Sequence, residues 1–336
     1  MMNDSNTLLH PFAQLDPGFI LDAIENAGYQ TDGRVTALNS YENRVYQIGI
    51  EDSPPLIAKF YRPHRWSDAQ IMEEHEFTQQ LNDADLPVVP ALKNDHHGSL
   101  LTYKDFRFSL YARKGGRAPE LDNPDNLLIL GRFMGRIHSV GRSQSFNYRP
   151  LIDSQTFGHE SVSFILKNFI PQDLRTAYET LTHDLLRTID QQLEAYGQLS
   201  LIRVHGDCHI GNILWRDDIP NFIDFDDSRM APAVQDIWML LSGAKHEQQQ
   251  QLVEILEGYN EFADFNVDEL QLIEILRTLR MLYFSAWLAR RWQDPAFPMG
   301  FPWFNSVRYW EEHILSLREQ LFALSEPALS IDPFNR

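Results

Sequence analysis

Alternation of apolar and polar positions dominates the first third of the chain. The runs "VTAL", "RVYQIGI", "LIAKFYR", "SLLTY" and "FRFSLYA" alternate at a period of two between Gly, Pro, Asn and Asp, which predicts a set of short strands. A helix precedes them, opened by "DP" at 16–17 and stopped near Gly28. A second helix is predicted at about 67–83, where Ser67 and Gln70 form a capping box. The alternation ends near Ala112, and "RKGGRAPELDNP" at 113–124 reads as a linker or hinge. Beyond it, apolar residues recur at helical spacing over about 124–142, 160–196, 232–243, 247–263, 267–292 and 304–324. One strand-like island, 200–226, interrupts the helices. The pattern predicts an α+β chain with a sheet-rich part at 1–112, a link at 113–124 and a mostly helical part at 125–336.

The 336 residues suffice for two domains or one large bilobal unit. Apolar residues make up 43% and charged residues 23%, the balance of a soluble globular protein. The 47 Asp+Glu against 29 Lys+Arg give a net charge of -18, a field that repels nucleic-acid phosphates and anionic membranes. Cys208 is the only cysteine, so no intrachain disulfide is expected. The start "MMNDSNTLLHPF" lacks a signal-peptide pattern. "MLYFSAWLA" at 281–289, flanked by Arg280, Arg290 and Arg291, is far short of the roughly 20 residues that span a bilayer. A cytosolic monomer without nucleic-acid or membrane partners is expected.

The island begins with "HGDCHIGN", residues 205–212, and continues into "ILWRDDIPNFIDFDD". Two apolar runs around a polar, Pro-containing middle predict a hairpin centred near Asp218. That centre puts Asn212 opposite Asp224, at the Cβ separation of about 4.5–5.5 Å typical of cross-strand pairs. Alternation then sends Ile223 and Phe225 to one face and Asp224 and Asp226 to the other. Two carboxylates ~5 Å apart repel by about 3 kcal/mol at an effective dielectric near 20, so the acidic face needs a counter-charge. Asn and Asp offer only oxygen ligands, which suits Mg²⁺ rather than zinc. His205, Asp207, Cys208 and His209 are spaced too tightly to converge on zinc, and no second ligand pair completes a set. Cys208 lacks a nucleophile elbow and reads as a small buried packing residue, with His205 and His209 as structural loop residues. What remains is an Asp in a loop, an Asn five residues on and an Asp after the hairpin, the set that phosphoryl transfer requires.

"HGDCHIGN" followed by "IDFDD" resembles the catalytic loop and metal motif of the aminoglycoside and choline kinase branch of the protein-kinase-like fold. The resemblance implies a bilobal fold, with a small antiparallel sheet and one main helix in the first lobe and a helical second lobe. It implies ATP as co-substrate with Mg²⁺, Asp207 as catalytic base, and Asn212 and Asp224 as magnesium ligands, Asp224 thereby belonging to the catalytic set. Asp236 resembles the family's buried aspartate that braces the catalytic loop. Asp226 either assists the metal or, like Asp227, ends a strand.

Such an enzyme also needs a cation on the phosphates, positioned by a helix carboxylate. Alternation in "LIAKF" puts Ile57 and Lys59 on one face, away from Leu56, Ala58 and Phe60. On the helix at 67–83 the apolar stripe Ile71, Phe77, Thr78, Leu81 contains Glu74 but neither Glu73 nor Glu76. A carboxylate turned to a core must be paired, with Lys59 the natural partner and another Arg or a backbone amide the alternative. The phosphate-covering segment "LNSYENRVYQI" has no glycine, so a polar turn at Ser40, Tyr41, Glu42 and Asn43 would take that part, the Ser40 hydroxyl adding a donor. The fold resemblance places adenine against Ile57 and the backbone of Leu110 to Ala112.

Only "SRMAP" separates "IDFDD" from the next helix, too short for a long activation segment. "LNSYENRVYQ", "KFYRPHRW", "HGDCHIGNILWRDD", "PAVQDIWMLL" and "WLARRWQDPAFPMGFPW" extend the likeness over about residues 12–330, to bacterial serine/threonine protein kinases of that family. This implies a stress-response role and phosphorylation of protein Ser/Thr hydroxyls, with its own among them as a further option. The segment 290–304 either lines the acceptor groove or packs against the lobe. A kinase of choline, homoserine or aminoglycosides would carry the same motifs, and a non-catalytic nucleotide-binding scaffold would tolerate loss of Asp207.

Overall fold

The computed structural model describes residues 10–94 and 98–331. In chain order the elements are α1 (Pro17–Asn26), β1 (Thr31–Ala37), β2 (Arg44–Ile50), β3 (Ser53–Phe60), α2 (Asp68–Asp83), β4 (Leu101–Tyr103) and β5 (Phe106–Ala112). They continue with α3 (Pro124–Arg142), α4 (Glu160–Asn168), α5 (Gln172–Tyr196), β6 (Ile202–Val204), β7 (Ile213–Arg216), β8 (Ile219–Phe222) and β9 (Arg229–Ala231). The last are α6 (Val234–Trp238), α7 (Lys245–Tyr259), α8 (Ile273–Arg290), α9 (Ala296–Gly300) and α10 (Val307–Ala323). The chain forms two compact units: one holds the described residues up to Gln79, Val89–Gly115 and Trp292–Phe301, and the other holds Gln80–Val88, Gly116–Arg291 and the residues from Pro302 on.

In the first unit the strands make a five-stranded antiparallel sheet in the order β1-β2-β3-β5-β4. Period-two alternation in β3 turns Leu56, Ala58 and Phe60 toward α1, where they join Phe19, Ile20, Ala23, Ile24, Phe108 and Leu110 in one core. Asp16 caps α1 by accepting the Phe19 N–H at 2.8 Å. The opposite face of β3 carries Ile57 and Lys59, whose cross-strand partners on β5 are Tyr111 and Ser109. The capping box of α2 is formed, Ser67 N–H to Gln70 Oε1 at 2.9 Å and Gln70 N–H to Ser67 Oγ at 3.3 Å. Ile71, Glu74, Phe77, Thr78 and Leu81 are all buried on one stripe of α2.

The second unit is mostly helical. The long pattern at 160–196 is divided at Pro171, which has no N–H to continue α4, and α5 begins immediately after it. The pattern at 232–243 yields only α6. Two elements depart from the sequence expectation. β9 lies within "SRMAP" and pairs antiparallel with β6, Ile202 opposite Ala231. All its residues are buried, so it shows no alternation. α9 forms inside the segment 290–304, between the helical patterns at 267–292 and 304–324, with Pro295 at its N-cap. Among the described residues no helix is long and apolar enough to cross a membrane.

Candidate active site

The hairpin of β7 and β8 pairs Ile213 with Phe222 and Arg216 with Ile219 around a two-residue turn, Asp217–Asp218. Both turn residues have left-handed φ, 53° and 57°, as a type I′ turn requires. Aspartate tolerates that region because its short side chain bonds locally. The centre of the hairpin therefore falls between Asp217 and Asp218, and the expected register is corrected by one residue. Asn212 stands opposite Ile223, whose N–H donates to the Asn212 carbonyl at 3.0 Å, and not opposite Asp224. The alternation expected for 223–226 also fails. β8 ends at Phe222, and Asp224 takes a left-handed conformation, φ 60° and ψ 61°. Asp224 is consequently exposed while Asp226 is buried, on account of a short 3-10 turn at Phe225–Asp227.

A closed circuit of hydrogen bonds holds the motif. The Asn212 Nδ2 donates to the Asp207 carbonyl at 3.0 Å, which fixes the amide and identifies Oδ1 as its acceptor atom. His205 Nε2 donates to the carbonyl of Ile223 at 2.9 Å and its Nδ1 accepts the Asp207 N–H at 3.3 Å, which together fix the ring's orientation. Beneath the loop, Asp236 accepts the His205 N–H at 2.7 Å on Oδ2 and the Gly206 N–H at 2.8 Å on Oδ1. His138 Nε2 lies 3.1 Å from the same carboxylate, and its Nδ1 is 3.0 Å from the Tyr259 hydroxyl. Gly206 has φ 83°, and a Cβ there would come 2.2 Å from the Asp227 carbonyl oxygen, so only glycine lets the loop pass.

Asp207 faces a guanidinium and an imidazole. Arg280 Nη2 stands 2.6 Å from Oδ1, and His209 Nε2 stands 3.6 Å from Oδ2. Burial pushes the Asp207 carboxyl up, but the contact with His209 and the charge of Arg280 outweigh it and hold the group well below the usual carboxylate range. Arg280 was visible in the sequence only as the flank of an apolar stretch. Nothing local tied it to residue 207, and the turns of α8 bring it there. Cys208 is fully buried, and that burial, with Asp236 and Asp207 nearby, pushes its thiol well up. Among the described residues no three His, Cys, Asp or Glu side chains form a metal-holding group. At this end of the hairpin Asn212 and Asp224 carry oxygen donors, the hard type that a divalent cation such as Mg²⁺ takes.

In the first unit Lys59 Nζ and Glu74 Oε1 are 3.9 Å apart, both side chains less than 10% exposed, and Lys59 also lies 5.5 Å from the Tyr61 ring centroid. Beside them His75, also missed in the sequence, is buried between the Tyr61 hydroxyl at 2.8 Å and the Ser99 hydroxyl at 2.9 Å. Ile57 shares the Lys59 face, and Ala112 is exposed at the end of β5. Leu110 turns its side chain into the α1 core, and its carbonyl accepts the Leu92 N–H at 2.7 Å. Ser40 turns its hydroxyl onto the Asn43 carbonyl at 3.1 Å, closing the polar turn on itself. Most of the segment 290–304, residues Trp292–Phe301, belongs to this unit.

Residues 34–273 match the model of the phosphotransferase enzyme family, APH. The chain is 43% identical over 330 residues to stress response kinase A of Escherichia coli (strain K12), covering 98% of this chain and 99% of that one. It is 42% identical over 333 residues to the serine/threonine protein kinase RdoA of Salmonella typhimurium, covering 99% of each. Among solved structures, amicoumacin kinase hAmiN, in complex with AMP-PNP, Ca²⁺ and Ami, superposes with a TM-score of 0.73 at 20% identity over 96% of this chain and 97% of that one. The microcompartment-associated aminopropanol kinase does so with a TM-score of 0.71 at 17% identity over 94% and 100%. At these identities the likeness is one of fold, and that fold is kinase-like: an antiparallel five-stranded sheet with a mostly helical remainder.

Proposed function

The chain belongs to the phosphotransferase enzyme family, and on that basis we propose that it transfers the γ-phosphate of Mg-ATP to a serine or threonine hydroxyl of a protein, as a soluble kinase active in the response to stress. The observation that carries this reading is the Asp207 carboxylate, met by Arg280 Nη2 at 2.6 Å on a loop tied by the Asn212 amide to the hairpin end that also carries Asp224. Asp207 takes the proton from the acceptor hydroxyl as the oxygen attacks phosphorus. Asn212 and Asp224 are the residues that hold Mg²⁺, whose charge, when it is bound, offsets that of the phosphates. The first unit contributes Lys59, braced by Glu74, for the α and β phosphates, the turn at Ser40–Asn43 as their cover, and Ile57 with the backbone of Leu110 to Ala112 for the adenine.

The acceptor is argued from charge as well as from the two named relatives. Arg280 and His209 both stand on Asp207, so the hydroxyl must approach past a guanidinium and an imidazole. That setting disfavours amino alcohols and aminoglycosides, whose ammonium groups need acidic surroundings, and accepts a Ser or Thr side chain, which carries no charge.

The test is transfer from labelled ATP with Mg²⁺ to a panel of protein and metabolite acceptors, comparing the wild type with Asp207→Asn. The substitution is expected to cut turnover by about 10²–10⁴-fold with nucleotide affinity nearly unchanged. Equal turnover in both would remove Asp207 from the mechanism, and label on choline, homoserine or an aminoglycoside in place of protein would reassign the acceptor.

A further inference from the structure

The turn at 40–43 lacks glycine, yet its backbone is closely held. The Tyr41 carbonyl accepts from Arg44 Nη1 at 2.9 Å and from Arg62 Nη2 at 3.2 Å. The Glu42 carbonyl accepts from Arg62 Nε at 2.9 Å, and the Asn43 carbonyl from Arg44 Nη1 at 3.1 Å. Successive carbonyls thus point at two guanidinium groups. Because a trans peptide sets C=O and N–H antiparallel, the amides of Glu42 and Asn43 are directed away from those arginines. The Asn43 side chain adds a clasp by accepting the Arg62 N–H at 3.0 Å.

Two guanidiniums side by side, Arg62 buried and Arg44 half-buried, repel unless anions offset them. Glu42 Oε1 stands 3.0 Å from Arg62 Nε, and Asp294 is the anion that joins both arginines. It is 3% exposed, receives Arg44 Nη2 at 2.9 and 3.0 Å on its two oxygens, and receives Arg62 Nη2 at 2.6 Å. It comes from 250 residues further along the chain than Arg44, on the strap Trp292–Phe301. The strap is seated by more than this carboxylate. The fully buried Phe297 ring lies 5.4 Å from the Arg62 guanidinium, Phe301 lies 4.6 Å from the Tyr41 ring, and a Cβ on Gly300 would come 2.2 Å from that ring.

We propose that Asp294 is a positioning residue for nucleotide binding: through Arg44 and Arg62 it sets the direction of the peptide units of the phosphate-covering turn, a task that glycines perform where a turn contains them. This rests on the reading of that turn as the cover of the ATP phosphates. The strap is thereby part of the nucleotide side of the enzyme and not of an acceptor groove.

The experiment compares wild type, Asp294→Asn, Asp294→Glu, Arg44→Gln and Lys59→Met in the full-length protein, by calorimetric titration with Mg-ATP, steady-state kinetics and thermal melting. Asp294→Asn is expected to raise Kd and KM for ATP at least tenfold, with kcat and the acceptor KM within about threefold, and Asp294→Glu to restore much of the loss. A folded Asp294→Asn that binds ATP like wild type, while Lys59→Met loses it, overturns the proposal and leaves the nucleotide site standing. If Lys59→Met also binds normally, the reading of the site itself is wrong. Should Asp294→Asn fail to fold, Arg44→Gln decides by the same readout: a raised KM for ATP at unchanged kcat supports the proposal, and an unchanged KM overturns it.

Discussion

The loop at 205–207 is gripped by its N–H groups, the turn at 41–43 by its carbonyls. Under the first lies the fully buried Asp236, whose two oxygens receive two successive backbone amides and one imidazole. Under the second lie Arg44 and Arg62, whose planar donors reach three successive carbonyls. The loop above that carboxylate turns at Gly206, where φ is left-handed and the Asp227 carbonyl leaves no room for a Cβ. Two guanidiniums have donors to spare and need no glycine, but together they need neutralising anions, and beside Glu42 the chain supplies Asp294, which joins both, from some 250 residues further along. The lesson is that a loop without glycine can still be fixed when its carbonyls, in place of its amides, are the groups restrained.

The sharpest break of this comparison is Asp236→Ala. It strands two buried backbone donors and the His138 ring together, so a loss of about 3–5 kcal/mol of stability is expected by denaturant titration. Turnover in the protein that remains folded is expected to fall by about 10³-fold or more as Asp207 loses its support. A smaller effect should come from the other side: a double-mutant cycle of Asp294→Asn and Arg62→Met, read by urea unfolding, is expected to give a coupling of about 2 kcal/mol. Additive losses there would mean that Asp294 does not act through Arg62.

The smallest effect at neutral pH is expected for Arg280→Gln. With Arg280 in place Asp207 lies below the usual carboxylate range, so the base stays ionised and the acidic limb of kcat/KM falls below about pH 4. Its contribution to stability is present above that range and lost as pH falls through the depressed value. Without the guanidinium, burial acts with less opposition, and both the limb and the acid loss of stability move to higher pH. Profiles of kcat/KM and melting temperature against pH check this, and an unmoved acidic limb would mean that Arg280 does not tune the base.

The difference between the two loops also marks what the sequence made legible. The motif at 205–212, the Lys59 and Glu74 pair and the sheet strands all declare themselves through periodicity or short spacing, and the structure places Lys59 beside Glu74. The hairpin was legible to within one residue. Its register turned on whether Asp217 and Asp218 share left-handed φ, which two adjacent aspartates do not announce. β9 and α9 carried too few residues to show a period. Arg280, Arg62 and Asp294 escaped for a deeper reason: each acts on a residue far away in sequence, and a charged side chain in a mixed neighbourhood gives no sign of which distant group it will meet.

Cys208, next to the proposed base, has one more consequence. Peroxide attacks the thiolate, and here the sulfur is both shut away from solvent and held in its protonated form. The chain's sole sulfhydryl therefore sits one residue from the proposed base without offering oxidants a handle.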